Sequence, residues 1–481
     1  MTLTQPSEAL VLDDLAAAVS CDVVLPGDAD FDLLRRVWNA DIDRHPAAIV
    51  RARSAQDVSA ALQWCVARGV PLTVRGGGHN LAGTAVANGA VLIDTALLDE
   101  VSFDFEAGTV TVGAGCRWGD VDRAAEPYDL AVPAGVVSHT GVAGLTLGGG
   151  FGYFARLHGA TVDHVVEIEV VVADGRILVA NADENPDLFW ALKGAGHNYG
   201  IATRFTYRTV ALPGLATVRQ ALYPASDRKG ILQLFRQWGP DAPRNVGTYI
   251  RLLRAPEYWT QIPAAHRGEP IISVATVYYG DPADEPAATA DMFAHGTPIY
   301  DSLRTMHHAT LQHATDDEFR YGIAHYWKHL FLQDLSDEAI ETVIAHSDAY
   351  TGRALNSSAH IAHQLMCPFE ILAGSREERD SSNDSTAGVG SPFAANIGAD
   401  WEYPGEKAPL VAWAKAFDQA LAPYKAGTYI NFTSVAGDEG VARAVYGDKY
   451  ERLVAVKSEY DPANVFSRGL VDLSDNAGEL A

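Results

Sequence analysis

The stretch "PAGVVSHTGVAGLTLGGGFGYFARLHG", Pro133 to Gly159, decides how the rest of the chain is read. Thr140 stands where it can cap a short helix with outward-pointing amides. The glycines that follow let that helix lie against a flat ligand. Upstream, "VRGGGHNLAGTAVANGAVLID", Val74 to Asp94, places Gly76, Gly77 and Gly78 after a short strand expected over Pro71 to Val74. Three amides free of side-chain crowding form a nest for a pyrophosphate, and Arg75 can add charge-assisted hydrogen bonds. His79 comes next and is too bulky for a phosphate cradle. Alone, a histidine after a turn is an ordinary cap or surface residue; the Pro133 stretch changes that reading.

Around these loops the pattern is α+β. "SAQDVSAALQWCVARG", from Ser54, opens with a capping serine, sets Val58, Leu62, Cys65 and Val66 on one face and stops at Gly69. "VEIEVVVADGRILVAN" reads as two strands joined at Asp174-Gly175, a hairpin signal. Beyond Leu212 the glycine loops give way to strand-like pieces such as "TYIRLL" and helical ones such as "SDEAIETVIAHSDAY". "LVAWAKAFDQALA" places Leu410, Val411, Ala414, Phe417 and Leu421 on one face, and "GDKYERLVAVKSEYDP" is a helix stopped at Asp461-Pro462. Ser375 to Ser391, polar and small, reads as an exposed loop.

Composition limits the function. The 481 residues carry 61 acidic and 36 basic side chains, a net charge of −25, which disfavours a nucleic-acid partner. No apolar run approaches a membrane span. Cys21, Cys65, Cys116 and Cys367 show no C-x-x-C spacing, and the amino terminus lacks a basic leader, so a cytoplasmic setting is expected. "GAGCRWG" and "GAGHNYG" resemble dinucleotide fingerprints, but their spacing is wrong and the second runs into a strand where a helix is required. His325 and His329, at helical i,i+4 spacing, and His307 beside His308 invite a metal reading. No glutamate completes an H-E-x-x-H motif, so no metal is expected.

The paired "VRGGGHN" and "SHTGVAGLTLGGGFG", with "NPDLFWALKGAGHNYGIATRF" and the terminal "YINF" and "KYERLVAVKSEYDPANVF", resemble the FAD-linked oxidases of the berberine-bridge-enzyme-like family, within the vanillyl-alcohol-oxidase and p-cresol-methylhydroxylase superfamily. The resemblance runs from about Trp38 to Phe466. It implies an α+β fold with a two-lobed FAD-binding domain over 1–212, a substrate domain over 213–425 whose antiparallel sheet is covered by helices, and a segment over 426–481 returning to the first domain.

That resemblance also gives His79 a role, as the residue bonded covalently to the 8α-methyl carbon of FAD; a neutral imidazole is a competent nucleophile. Arg75, Gly76, Gly77, Gly78 and Asn80 would line the pyrophosphate. Ser138, Thr140, Gly141, Gly144, Gly149, Ile201 and Asn431 would complete the flavin site, with His139 and Thr140 beside the ring where oxygen meets reduced flavin. Val137 occupies the position of a cysteine that makes a second link in many relatives, so a single covalent bond is expected, as in 6-hydroxynicotine oxidases and monocovalent polyketide-pathway flavoenzymes. Two departures bear on the substrate pocket: no Asn-Gln pair follows "NVF", and Thr386-Ala387-Gly388 lacks the usual arginine.

Tyr249 and His360 fall where relatives place active-site groups, and either can take a proton while hydride passes to the flavin. The expected activity is an oxidase acting on a small organic substrate (an alcohol, an amine, or an activated aromatic or polyketide-like compound), with molecular oxygen giving peroxide. Three alternatives stay open: an oxygen-insensitive dehydrogenase of the same fold, a flavin binder that has lost catalysis, and an α+β protein whose glycine loops are only turns. Oligomeric state is not legible.

Overall fold

A computed structural model describes residues 12, 14–352, 361–367, 391, 393–434 and 439–474; for 361–367, 439–441 and 444 it describes the backbone alone. The fold is α+β. Near the amino terminus four strands lie in the spatial order Asp22–Val24, Ala48–Arg51, Val91–Asp94, Leu72–Arg75, and the last three are parallel. A second, antiparallel sheet runs Val101–Asp104, Thr109–Gly113, Ile201–Arg208, Val165–Val171, Ile177–Asn181. The largest sheet has eight strands, all neighbours antiparallel, in the order Tyr300–Met306, Ala216–Pro224, Pro270–Tyr279, Val246–Arg254, Ile361–Cys367, Phe393–Trp401, Ala324–Leu332, Lys425–Gly427.

Local chemistry accounts for the elements that carry the site. The helix Ala55–Arg68 starts where the Ser54 hydroxyl accepts the Asp57 amide at 3.1 Å and ends at Gly69 in the left-handed region, φ 62°. It buries Val58, Leu62 and Cys65, while Val66 stays exposed. The hairpin at Asp174-Gly175 forms as its sequence signals, with Gly175 at φ 87°. Helix Lys407–Leu421 buries Leu410, Trp413, Ala414, Phe417 and Leu421 against the eight-stranded sheet. No helix among the described residues is long and apolar enough to cross a membrane.

Two local expectations are corrected. Residues 324–332, which hold His325 and His329, form a strand rather than a helix; pairing with Phe393–Trp401 along their whole length overrides the i,i+4 pattern. Thr140 caps nothing: the helix Val142–Leu147 has Gly141 at its N-cap, and no side chain caps it. The stretch Ser375 to Ser391 lies, apart from Ser391, outside the described residues.

The carboxy-terminal helix Tyr450–Tyr460 packs back onto the amino-terminal half. Tyr450, Leu453 and Val454 share a core with Trp190, Leu192 and Tyr199, and the Tyr199 hydroxyl donates to the Leu453 carbonyl at 3.0 Å. At its end Asp461 accepts the amides of Val465 and Phe466 at 2.7 and 2.9 Å. Fully buried Lys457 reaches Asp461 at 2.6 Å and the Asn198 carbonyl at 2.8 Å, tying the tail to the other half of the chain. Removing one partner of such a pair strands a buried charge, so Lys457→Met is expected to lower unfolding free energy by about 3 to 5 kcal/mol. Arg452→Ala, which breaks a solvent-exposed pair with Asp187 and a contact over Trp190, should cost about 1 kcal/mol or less. Urea unfolding midpoints compare the two.

Candidate functional site

The two glycine loops meet directly. A Cβ on Gly77 would lie 2.4 Å from the Gly141 backbone, and one on Gly141 2.3 Å from the Gly77 amide nitrogen, so only glycine permits the approach. Gly78 turns the chain there at φ 70°. Beside this contact opens a cavity of about 290 Å³. Of the residues expected at a flavin, Gly76, Gly77, Gly78, His79, Asn80, Val137, Thr140, Gly141, Gly144, Ile201 and Asn431 line its wall.

Five do not, and the reasons are physical. Arg75 turns away from the cavity: its guanidinium pairs with Asp94 at 2.7 and 3.3 Å and donates to the carbonyls of Leu34 and Arg36, so it braces the loop from behind. Ser138 gives its amide and hydroxyl to Asp316, at 3.0 and 2.5 Å. Gly149, at φ 119°, serves a turn whose carbonyl accepts the Val162 amide. Tyr249 packs edge-on against Tyr153, with ring centroids 5.7 Å apart, and burial holds its phenol protonated far above the usual range. His139 is the fifth. His360 lies outside the described residues.

His139 pairs with His79. The Nε2 of His79 and the Nδ1 of His139 are 2.7 Å apart, and among the described residues no group pairs with the Nδ1 of His79. Burial, followed by the neighbouring His139, His325 and Arg117, pushes the His79 pKa well below the histidine range. Burial also lowers that of His139, with Asp316 opposing. His79 is therefore a neutral imidazole on the cavity wall at ordinary pH. Its ring is held in place by Trp38, stacked at 4.8 Å, which is itself stacked at 3.9 Å on His325. His325 is fixed by Asp400 at 2.6 Å, an anchor shared with the Trp327 indole at 2.8 Å.

The returning segment supplies another part of the wall. Asn431 donates to the Leu145 carbonyl at 3.0 Å and to the Tyr429 hydroxyl at 2.8 Å, while that hydroxyl accepts the Gly150 amide at 3.0 Å. His329, its pKa pushed down to about 3 by burial, accepts the Tyr429 amide at 3.1 Å. Both strand histidines thus serve protein contacts, and the described residues contain no cluster of ligands fit for a metal.

Sequence reading missed Trp38, Tyr429 and Arg468. Among the described residues Arg468 is the only Lys, Arg, Asp or Glu on the cavity wall, and His197, also there, is held neutral with a pKa near 4 by burial. Its signal was the "NVFSRG" departure, which hides a cation where relatives carry an amide pair. The wall suits a flat ligand with an anionic end. Gly144 lines the cavity and a Cβ there would meet no protein atom within 4 Å, so the space in front of it is open to a ligand.

Comparison with known proteins agrees with this geometry. Residues 46–181 match the family described as FAD binding domain, and 428–468 the family described as berberine and berberine like. The (R)-6-hydroxynicotine oxidase of Paenarthrobacter nicotinovorans is 26% identical over 93% of this chain and 96% of its own length. The FAD-linked oxidoreductase YvdP of Bacillus subtilis is 26% identical over 92% and 96%. The solved 6-hydroxy-D-nicotine oxidase of Arthrobacter nicotinovorans superposes with a TM-score of 0.82 at 22% identity, covering 97% of this chain and 99% of that one. The amino-terminal cradle matches an FAD binding domain and the carboxy-terminal clasp a berberine-like segment, and the full-length relatives similar to this chain, FAD-linked oxidoreductases by name among them, span both.

Proposed function

We propose that the chain is an FAD-dependent oxidase in which a single bond from His79 Nδ1 to the 8α-methyl carbon holds the cofactor. The observation that carries this reading is a neutral, stacked imidazole on the cavity wall whose Nε2 is engaged and whose Nδ1 is free. No second attachment is proposed, because Val137 stands on the wall with no sulfur to offer and Cys116 is buried against the Glu100 carbonyl. When bound, FAD supplies a two-electron acceptor for a C–H bond of a small alcohol, amine or activated aromatic substrate, and molecular oxygen takes those electrons as peroxide.

The chain's own residues bind and orient. The amides of Gly76 to Gly78 and the side chain of Arg468, all on the cavity wall, would hold the phosphates, in place of the Arg75 contact first expected. Trp38, Phe319, Trp327 and Phe432 keep water from the His79 end of the cavity. Thr140 and Asn431, also on the wall, would contact the ring. Tyr249 is not assigned as the base, since it does not reach the wall. Oxidase relatives by name, such as (R)-6-hydroxynicotine oxidase, support the use of oxygen.

Acid precipitation tests the attachment: flavin colour and an added FAD mass should remain on the peptide containing His79, and His79→Ala should release all flavin. Colour lost from the wild-type pellet would contradict the reading. Gly144→Val should leave the urea midpoint of the flavin-free protein unchanged and abolish flavin retention. In the His79→Ala background, Arg468→Gln should weaken FAD binding by about tenfold or more, as loss of a charge-assisted hydrogen bond implies, and leave riboflavin binding unaltered in fluorescence titration.

A further inference from the structure

His139 has no place on the cavity wall, yet among the described residues it is the side-chain partner of the residue on which the attachment depends. Two neutral imidazoles can share that bond in two ways. If His139 donates, the His79 proton sits on Nδ1, which then has no lone pair for a carbon. If His139 accepts, the proton sits on Nε2 and the Nδ1 lone pair is free toward the cavity. Among the described residues the other nitrogen of His139, Nε2, is buried with no partner at hydrogen-bond geometry, and the contact with His79 at 2.7 Å is the side-chain pair that the ring makes.

We propose that His139 is a positioning residue and proton acceptor for flavin attachment: it holds His79 in the tautomer whose Nδ1 is nucleophilic and takes the Nε2 proton as the new bond forms. The inference rests on the covalent reading of His79. Forming the Nδ1–C8α bond breaks a C–H bond of the methyl group and removes one proton from the methyl carbon and one from imidazole Nε2. Two electrons are left on the ring, and molecular oxygen then takes those electrons with two protons as peroxide. Without an acceptor at Nε2, the imidazole would have to carry a full positive charge in a site that burial already makes hostile to charge. Beyond His139 lies Asp316, whose carboxylate favours charge on that ring and is itself held by Ser138 and His313. The Asp316 carboxylate thus stabilises the charge that His139 takes on as the bond is made.

The placement is built into the loops. Gly77 touches Gly141, and counting two residues forward from the first and two back from the second gives His79 and His139. The pair is fixed by the same backbone contact that forms the cradle.

The test is the rate at which FAD, added to protein produced without flavin, becomes acid-stable. His139→Ala should still bind FAD, read by quenching of flavin fluorescence, but attach it about a hundredfold more slowly or worse, the usual contribution of a positioned base. His139→Asn, whose amide oxygen can accept from Nε2, should recover part of the rate, and imidazole added to His139→Ala should recover part as well. Attachment by His139→Ala at the wild-type rate would overturn the inference and leave the His79 reading intact. Should His139→Ala bind no FAD, the asparagine variant and the imidazole rescue decide: attachment restored by either supports the proposal, and failure of both overturns it. Absence of acid-stable flavin in the wild type would remove the covalent reading itself.

Discussion

The site depends on a place where two backbones touch with no side chain between them. At Gly77 and Gly141 a single methyl group would sit within about 2.4 Å of main-chain atoms, so two loops far apart in sequence are locked at one distance and one register. Each loop is braced from behind by a carboxylate: Asp94 holds Arg75 at the foot of the first, and Asp316 holds Ser138 beside the second. The amides of the first loop stay open to the cavity, and His79 is brought against His139. Neither a cradle nor an oriented imidazole would follow from glycine content alone.

Electrostatics then sets what that imidazole can do. Burial strips His79 of its ability to hold a proton, and the aromatic stack of Trp38 on His325 keeps the ring from turning toward solvent. Among the described residues the wall otherwise carries no formal charge, with Arg468 the exception. Such a cavity pairs a neutral nucleophile with one cationic point, which suits a cofactor with a flat apolar end and a phosphate end. The carboxy-terminal segment completes it through Asn431 and Tyr429, and the Lys457–Asp461 pair anchors that segment to the amino-terminal half.

The glycine loops, the capped helix at Ser54, the hairpin at Asp174-Gly175 and the α+β class were legible because each rests on local rules. What was illegible came from pairing between distant segments. Arg75 next to three glycines reads as a phosphate ligand until the parallel register sets it opposite Asp94. His325 and His329 share a face in either a helix or a strand, and only the neighbouring strand Phe393–Trp401 decides between them. His139 was placed beside the ring by resemblance, whereas the Gly77–Gly141 contact turns it toward His79. Tyr249 was expected as a base because it falls where relatives place active-site groups, but it packs against Tyr153 and does not line the cavity wall.

The central claim is that His79 presents Nδ1 to the cofactor because Nε2 is held by His139. A crystal structure of the flavin-loaded protein tests it most directly. The account predicts unbroken electron density from His79 Nδ1 to the flavin's methyl position, with His79 Nε2 still within hydrogen-bond distance of His139 Nδ1. A bond through Nε2, density ending short of the ring, or His79 turned away from His139 would contradict it.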